Sequence, residues 1–175
     1  MKFNLSNALE ILERTPSVLE TMLGDLSEVW TSANEGKGSW SPYDIIGHLV
    51  HGEKTDWMPR TEIILSDNPV KRFPEFDRFA QFEESKGKSL TELLEEFKTL
   101  RKKNLDSLKA KNLTAANLAE HGIHPSFGMV SLIQLLSTWV VHDLNHISQI
   151  SRVMAKQYKE EVGPWISYLG ILQQK

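Results

Sequence analysis

The sequence predicts an all-α fold of four long helices, and three observations carry that prediction. Apolar residues recur at helical spacing in four separate stretches. Three of these stretches open on helix-start signatures: Ser41-Pro42 ahead of Asp44, Ser89-Leu-Thr-Glu92 and Ser131-Leu-Ile-Gln134. No Val/Ile/Thr alternation runs long enough for a sheet. A chain of 175 residues, 40% hydrophobic and 25% charged, has globular composition and the length of one domain, so residues 1–175 are expected to form a single unit.

The first helix is expected from Ser6 to about Trp30, with Ala8, Leu9, Ile11, Leu12, Val18, Leu19, Met22, Leu23, Leu26 and Val29 at helical spacing and Pro16 as the place for a kink or restart. Residues 31–39 read as a flexible connector. In the second helix Ser41 caps, Pro42 occupies the first turn, where no amide is needed, and Asp44 favours the positive end of the helix dipole. Ile45, Ile46, Leu49 and Val50 turn inward. Pro59 is expected to kink or end this helix, with Arg60 to Leu65 able to resume it.

Residues 66–88 form a long connection with Phe73, Phe76, Phe79 and Phe82 at every third position. A crossover of this length can run back along a helix of about 30 Å, so the third helix is expected to lie parallel to the second. The phenylalanines either pin the crossover to the bundle or wall a pocket over a site. The third helix opens at Ser89 and carries Leu90, Leu93, Leu94, Phe97, Leu100, Leu105 and Leu108, while Arg101-Lys102-Lys103 reads as a solvated face. Between Lys111 and Val130 the chain reads as irregular, with His121 and His124 as loop histidines that can reach a site mouth. The fourth helix runs from Ser131 to about Gln157. Beyond Gly163-Pro164, residues Trp165 to Leu172 read as a short amphipathic tail docked on the core.

The most informative chemistry lies in the fourth helix, at His142-Asp-Leu-Asn-His146-Ile-Ser-Gln149. Imidazoles four residues apart project from one helix face, about 40° apart around the axis. Leu136, Val140, Ile147, Ile150 and Met154 make an apolar ridge, and Thr138, Asn145 and Gln149 cluster on the histidine side. The pair therefore borders the core, a position that suits metal ligands and equally suits two hydrogen-bonded core histidines. A third imidazole discriminates between these readings. The second helix offers His48 and His51, and spacing alone does not choose between them, although His48 has the more apolar neighbours.

The chain contains no cysteine, which excludes disulfides and thiolate ligands. Three neutral imidazoles suit Zn²⁺ or Ni²⁺ and leave positions open for water or substrate. Glu53, Asp143, Asn145 and backbone carbonyls are candidates to accept the second N–H of each ligand. Asp143 stands where a His-Glu-x-x-His motif holds its general base, but its short arm directed along the apolar ridge reads as a helix anchor. Glu53 and Arg60 are candidate substrate contacts. Because protons compete for each imidazole around an unperturbed pKa of about 6.5, metal affinity is expected to fall steeply between about pH 7 and 5.

A net charge of -3 and a pI near 6.1 argue against a nucleic-acid surface, and the basic runs Lys71-Arg72 and Arg101-Lys102-Lys103 are too short to supply one. Met-Lys-Phe-Asn-Leu lacks the apolar core of a signal peptide, and no apolar stretch reaches spanning length. A cytoplasmic protein with no membrane partner is expected.

Trp40-Ser-Pro, His48-Leu-Val-His-Gly-Glu and Val141-His142-Asp-Leu-Asn-His146-Ile-Ser-Gln149 together resemble the DinB/YfiT-like family over nearly the whole chain. That resemblance implies a four-helix bundle in up-down-down-up order with a divalent metal on three histidines, which fall on His48, His142 and His146. It also implies frequent homodimers and, for some members, S-transfer with low-molecular-weight thiols such as bacillithiol or mycothiol. Two functions follow. One is a metal-dependent enzyme acting on a small molecule, a thiol S-transferase or hydrolase, with no catalytic residue assigned. The other is a stress-associated, non-enzymatic metal-binding protein.

Overall fold

The computed structural model describes residues 1–173. Helix α1 (Leu5–Leu23) starts where the Asn4 side chain accepts the Asn7 amide at 3.1 Å, and it runs unbroken through Pro16. Proline has no amide to give the carbonyl four residues earlier. Here that carbonyl is Leu12 O, and it is taken instead by Arg101 Nη1 at 2.9 Å. Past Gly24 the chain turns, with Asp25 at φ 59°, before the single turn α2 (Glu28–Thr31). The expected span to Trp30 is therefore two pieces.

Helix α3 (Pro42–Thr55) opens on a reciprocal cap in which Ser41 accepts the Asp44 amide and Asp44 accepts the Ser41 amide. It breaks at Asp56 and resumes as α4 (Trp57–Leu65). The break precedes Pro59 by a turn because the proline ring crowds, and cannot bond, the Thr55 carbonyl. The crossover contains the short helix α5 (Ala80–Glu84). Its phenylalanines divide: Phe73 is buried against Gly122, where a Cβ would collide with the ring, whereas Phe79 and Phe82 are exposed. Helix α6 (Leu90–Ala110) begins on the Ser89/Glu92 capping box.

The chain between α6 and the last long helix is more ordered than its sequence suggested. It holds one turn, α7 (Ala115–Ala119), and an antiparallel hairpin of β1 (His121–His124) and β2 (Gly128–Ser131). A bridge from Arg72 to Ile123 ties the crossover to this hairpin. The helical fold class stands. Strands of four residues are too short for alternation to register in the sequence. Helix α8 (Leu132–Lys156) starts on the Ser131/Gln134 box, and beyond it two 3-10 turns lead back to α8, where Leu172 is buried.

Side-chain contacts give the direction of each helix. The Tyr43 hydroxyl, at the start of α3, lies within hydrogen-bonding distance of the Ser85 and Lys88 carbonyls just ahead of α6, while Glu53 near the end of α3 meets Arg101 and Asn104. The two helices are therefore parallel, as the crossover length predicts. Ion pairs Glu13–Lys109 and Glu20–Lys98 set α1 antiparallel to α6. Leu132, Leu136 and Trp139 of α8 pack with Leu12 and Leu108, and Ile150 packs with Leu19 and Leu93, so α8 is parallel to α1. The order is up-down-down-up. Among the described residues no helix is long and apolar enough to cross a membrane.

Candidate metal centre

Parallel α3 and α6 leave α8 to close the bundle beside α3, and this brings His48 of α3 against His142 and His146 of α8. His142 Nε2 lies 3.1 Å from His48 Nε2 and 3.1 Å from His146 Nε2. The candidate ligand atoms of all three lie within 4.8 Å of one another. An imidazole nitrogen has one in-plane site, filled by a proton or a lone pair. His142 Nε2 can therefore share a hydrogen with only one of its two neighbours. The spacing instead fits ligands around a cation: nitrogens roughly 2.0–2.1 Å from a tetrahedral zinc ion stand about 3.3 Å apart.

The electrostatics suit the same use. Burial, then repulsion from the neighbouring positive groups, pushes His48 down to about 3 and His142 down to about 2. Burial also lowers His146, against the raising effects of Gln149 and Asp143. Neutral imidazole is the form that binds metal. His146 Nδ1 donates to Gln149 Oε1 at 2.9 Å, which places the ring proton on Nδ1 and leaves the Nε2 lone pair facing the cluster. Among the described residues, Nδ1 of His48 and of His142 has no hydrogen-bond partner. Aromatic rings hold the cluster from the sides: Trp40 lies 4.8 Å from His48 and stacks near His146, and Trp57 meets His142 edge-on at 5.1 Å.

His51 is turned away, its Nδ1 2.9 Å from Glu84 Oε1. Glu53 and Asp143 do not accept hydrogen bonds from the clustered imidazoles either. Both face Arg101, which is 1% exposed and no part of a solvated face. Every one of its five N–H donors has an acceptor: Glu53 takes two, Asp143 two and Leu12 O one, at 2.6 to 3.1 Å. Asn104 and Trp139 complete the shell around Glu53. Burial raises the Glu53 carboxyl, and the Arg101 charge opposes that rise. Asp143 is thus a helix anchor, and Asn145 is exposed. Gln149 is the acceptor that the sequence placed on the right face without assigning it a role.

Beside the cluster is a cavity of about 390 Å³ that His48 and His142 both line. Its apolar wall includes Trp57, Phe73, Phe76, Phe127 and Leu135. Polar groups enter from the break between α3 and α4, from α4 and from the hairpin: Asp56, Arg60 and His124. His124 therefore stands at the site mouth, its Nδ1 accepting the Ser126 amide at 3.1 Å, whereas His121 is exposed. Of the two candidate substrate contacts, Arg60 reaches the cavity and Glu53 does not.

A sequence profile of the DinB superfamily matches residues 11–150, a span that contains all three clustered histidines. The chain belongs to the DinB superfamily. Among solved structures, this DinB-superfamily chain is similar to YfiT from Bacillus subtilis, described as a probable metal-dependent hydrolase with an unusual four-helix bundle topology. The TM-score is 0.74 at 18% identity, covering 87% of this chain and 86% of YfiT. It is also similar to TT2238, a four-helix bundle protein, with a TM-score of 0.56 at 20% identity over 85% of this chain and 98% of the other. At these identities the likeness is one of fold. No curated protein matches the sequence.

The buried role of Arg101 carried a signal in the sequence. It continues the stripe Leu94, Phe97, Leu105 and Leu108 at helical spacing, so its position, unlike its charge, points inward. The aromatic flank supplied by Trp40 and Trp57 had no such signal, because it depends on how loops and α4 fold back over α3.

Proposed function

We propose that this protein is a divalent-metal-dependent enzyme acting on a small molecule through His48, His142 and His146, by thiol transfer to an electrophile or by hydrolysis. One observation carries the reading: His48 and His142 belong both to the nitrogen cluster and to the wall of the cavity. A molecule in the cavity meets the same side chains that hold the ion, whereas a structural site encloses its ion with protein ligands. That relation favours an enzyme over a stress-associated protein that only binds metal.

A divalent ion on these histidines supplies Lewis acidity and favours the deprotonated form of water or a thiol near neutral pH. The chain supplies the rest. Burial keeps the imidazoles neutral, Gln149 fixes the His146 tautomer, and aromatic side chains line the cavity beside them. An all-nitrogen donor set suits zinc or nickel. The description of YfiT supports the hydrolytic arm, and the family resemblance supports transfer of a low-molecular-weight thiol. A homodimer in the cytoplasm completes the proposal.

The test pairs cysteine-derived thiols with monochlorobimane, and nitrophenyl esters with water, using zinc-loaded, nickel-loaded and EDTA-treated protein. Turnover in one arm that depends on metal and is lost in His142→Ala is expected. Equal rates with and without metal would overturn the enzymatic reading.

A further inference from the structure

The cavity contains a buried cation with donors to spare. Arg60 of α4 is 7% exposed and lines the cavity. Among the described residues its one polar contact is Nε to Asp56 Oδ1 at 2.6 Å, and the angle there is too skewed for a hydrogen bond. Its guanidinium lies over Phe73, with Cζ 5.2 Å from the ring centroid. A guanidinium carries five N–H donors in a planar fork. Asp56 lies at one edge, and among the described residues the two terminal nitrogens have no protein acceptor. The contrast with Arg101 is direct, since there all five donors are bonded.

We infer that Arg60 is the subsite for a carboxylate on the molecule that enters this cavity. The terminal nitrogens match a carboxylate through two parallel bonds. An apolar segment of that molecule lies along Phe73, Phe76 and Leu135, which brings its far end to His48 and His142. Asp56 narrows the choice of anion. Its own carboxylate beside the guanidinium repels a dianion more than a monoanion, so a carboxylate fits better than a phosphate ester. A cavity of about 390 Å³ sets the scale at a small, mostly apolar acid. That this acid is the substrate rests on the enzymatic reading above; its binding at Arg60 does not.

The full chain, zinc-loaded and after EDTA, is titrated with 4-phenylbutyrate, 4-phenylbutyramide and phenyl phosphate, and binding is followed calorimetrically and by tryptophan fluorescence, to which Trp57 in the cavity wall contributes. In both preparations the wild type is expected to bind the carboxylate at least tenfold more tightly than the amide, and more tightly than the phosphate. The ratio of acid to amide should fall towards one in Arg60→Met and to a few-fold in Arg60→Lys, which keeps the charge but loses the fork. The wild-type comparison stands even if Arg60→Met does not fold. Equal affinity for acid and amide in the wild type overturns the inference. A preference that survives in folded Arg60→Met but disappears with EDTA also overturns it, by placing the carboxylate on the ion. Selectivity that tracks Arg60 in a protein showing no metal-dependent turnover upholds the subsite while the enzymatic reading fails.

Discussion

Arg101 Nη1 donates to the Leu12 carbonyl oxygen at 2.9 Å, and that oxygen is available because Pro16, four residues on, has no amide. The same guanidinium binds Glu53 of α3 and Asp143 of α8. One side chain thus compensates a defect in α1 and cross-links the two helices that carry the histidines. Removing it leaves two carboxylates buried and unpaired, a change that costs about 3–5 kcal/mol for networks of this kind. Arg101→Met is expected to lower the urea midpoint accordingly. A loss below about 1 kcal/mol would show that the network is not a brace.

The low histidine pKa values revise the expected pH dependence. Burial holds His48 near 3 and His142 near 2 and also lowers His146, so protons compete less for the folded site between pH 7 and 5 than they would for unperturbed imidazoles. Zinc affinity of the folded protein is therefore expected to fall less steeply over that range than unperturbed imidazoles imply. Stability behaves differently. The folded pKa values lie below the unfolded value of 6.5, so on acidification the unfolded chain takes up protons first. The stability of EDTA-treated protein should be full above about pH 6.5 and erode below it, by up to roughly 1.4 kcal/mol per pH unit for each histidine. Urea melts and zinc calorimetry at pH 7, 6 and 5 separate the two effects. Constant stability with an affinity that falls as steeply as for free imidazoles is the contrary result.

Gln149 sets the orientation of His146 without lying in the core. Gln149→Leu is expected to lower zinc affinity about 10–100-fold, the usual effect of removing such a partner, while the urea midpoint stays nearly unchanged. Calorimetry on the folded variant checks this. Unaltered affinity would mean that the bundle alone orients the ring.

Much of this architecture was legible in the chain because it is local. The caps at Ser41, Ser89 and Ser131 each involve residues three apart, and all three form. The parallel run of α3 and α6 followed from crossover length. What escaped depends on distant contacts. The hairpin at residues 121–131 is held to the crossover through Arg72 and Phe73, which its own sequence cannot announce. His48 and His51 stand three residues apart on one helix, and which of them meets α8 depends on the rotation of α3, fixed by burial of Ile45, Ile46, Leu49 and Val50 together with the Glu53–Arg101 contact. The carboxylates expected to support the ligands went instead to a buried arginine, which needed them more than neutral imidazoles do.

The most direct test of the three-histidine centre is metal content per chain, measured by plasma mass spectrometry on protein purified without a nickel column and reconstituted with zinc. Wild type and His51→Ala are predicted to hold about one ion per chain, and His48→Ala, His142→Ala and His146→Ala to lose it on dialysis while remaining helical. A wild type that retains no ion, or a His48→Ala protein that keeps its ion while His51→Ala loses it, would contradict the account.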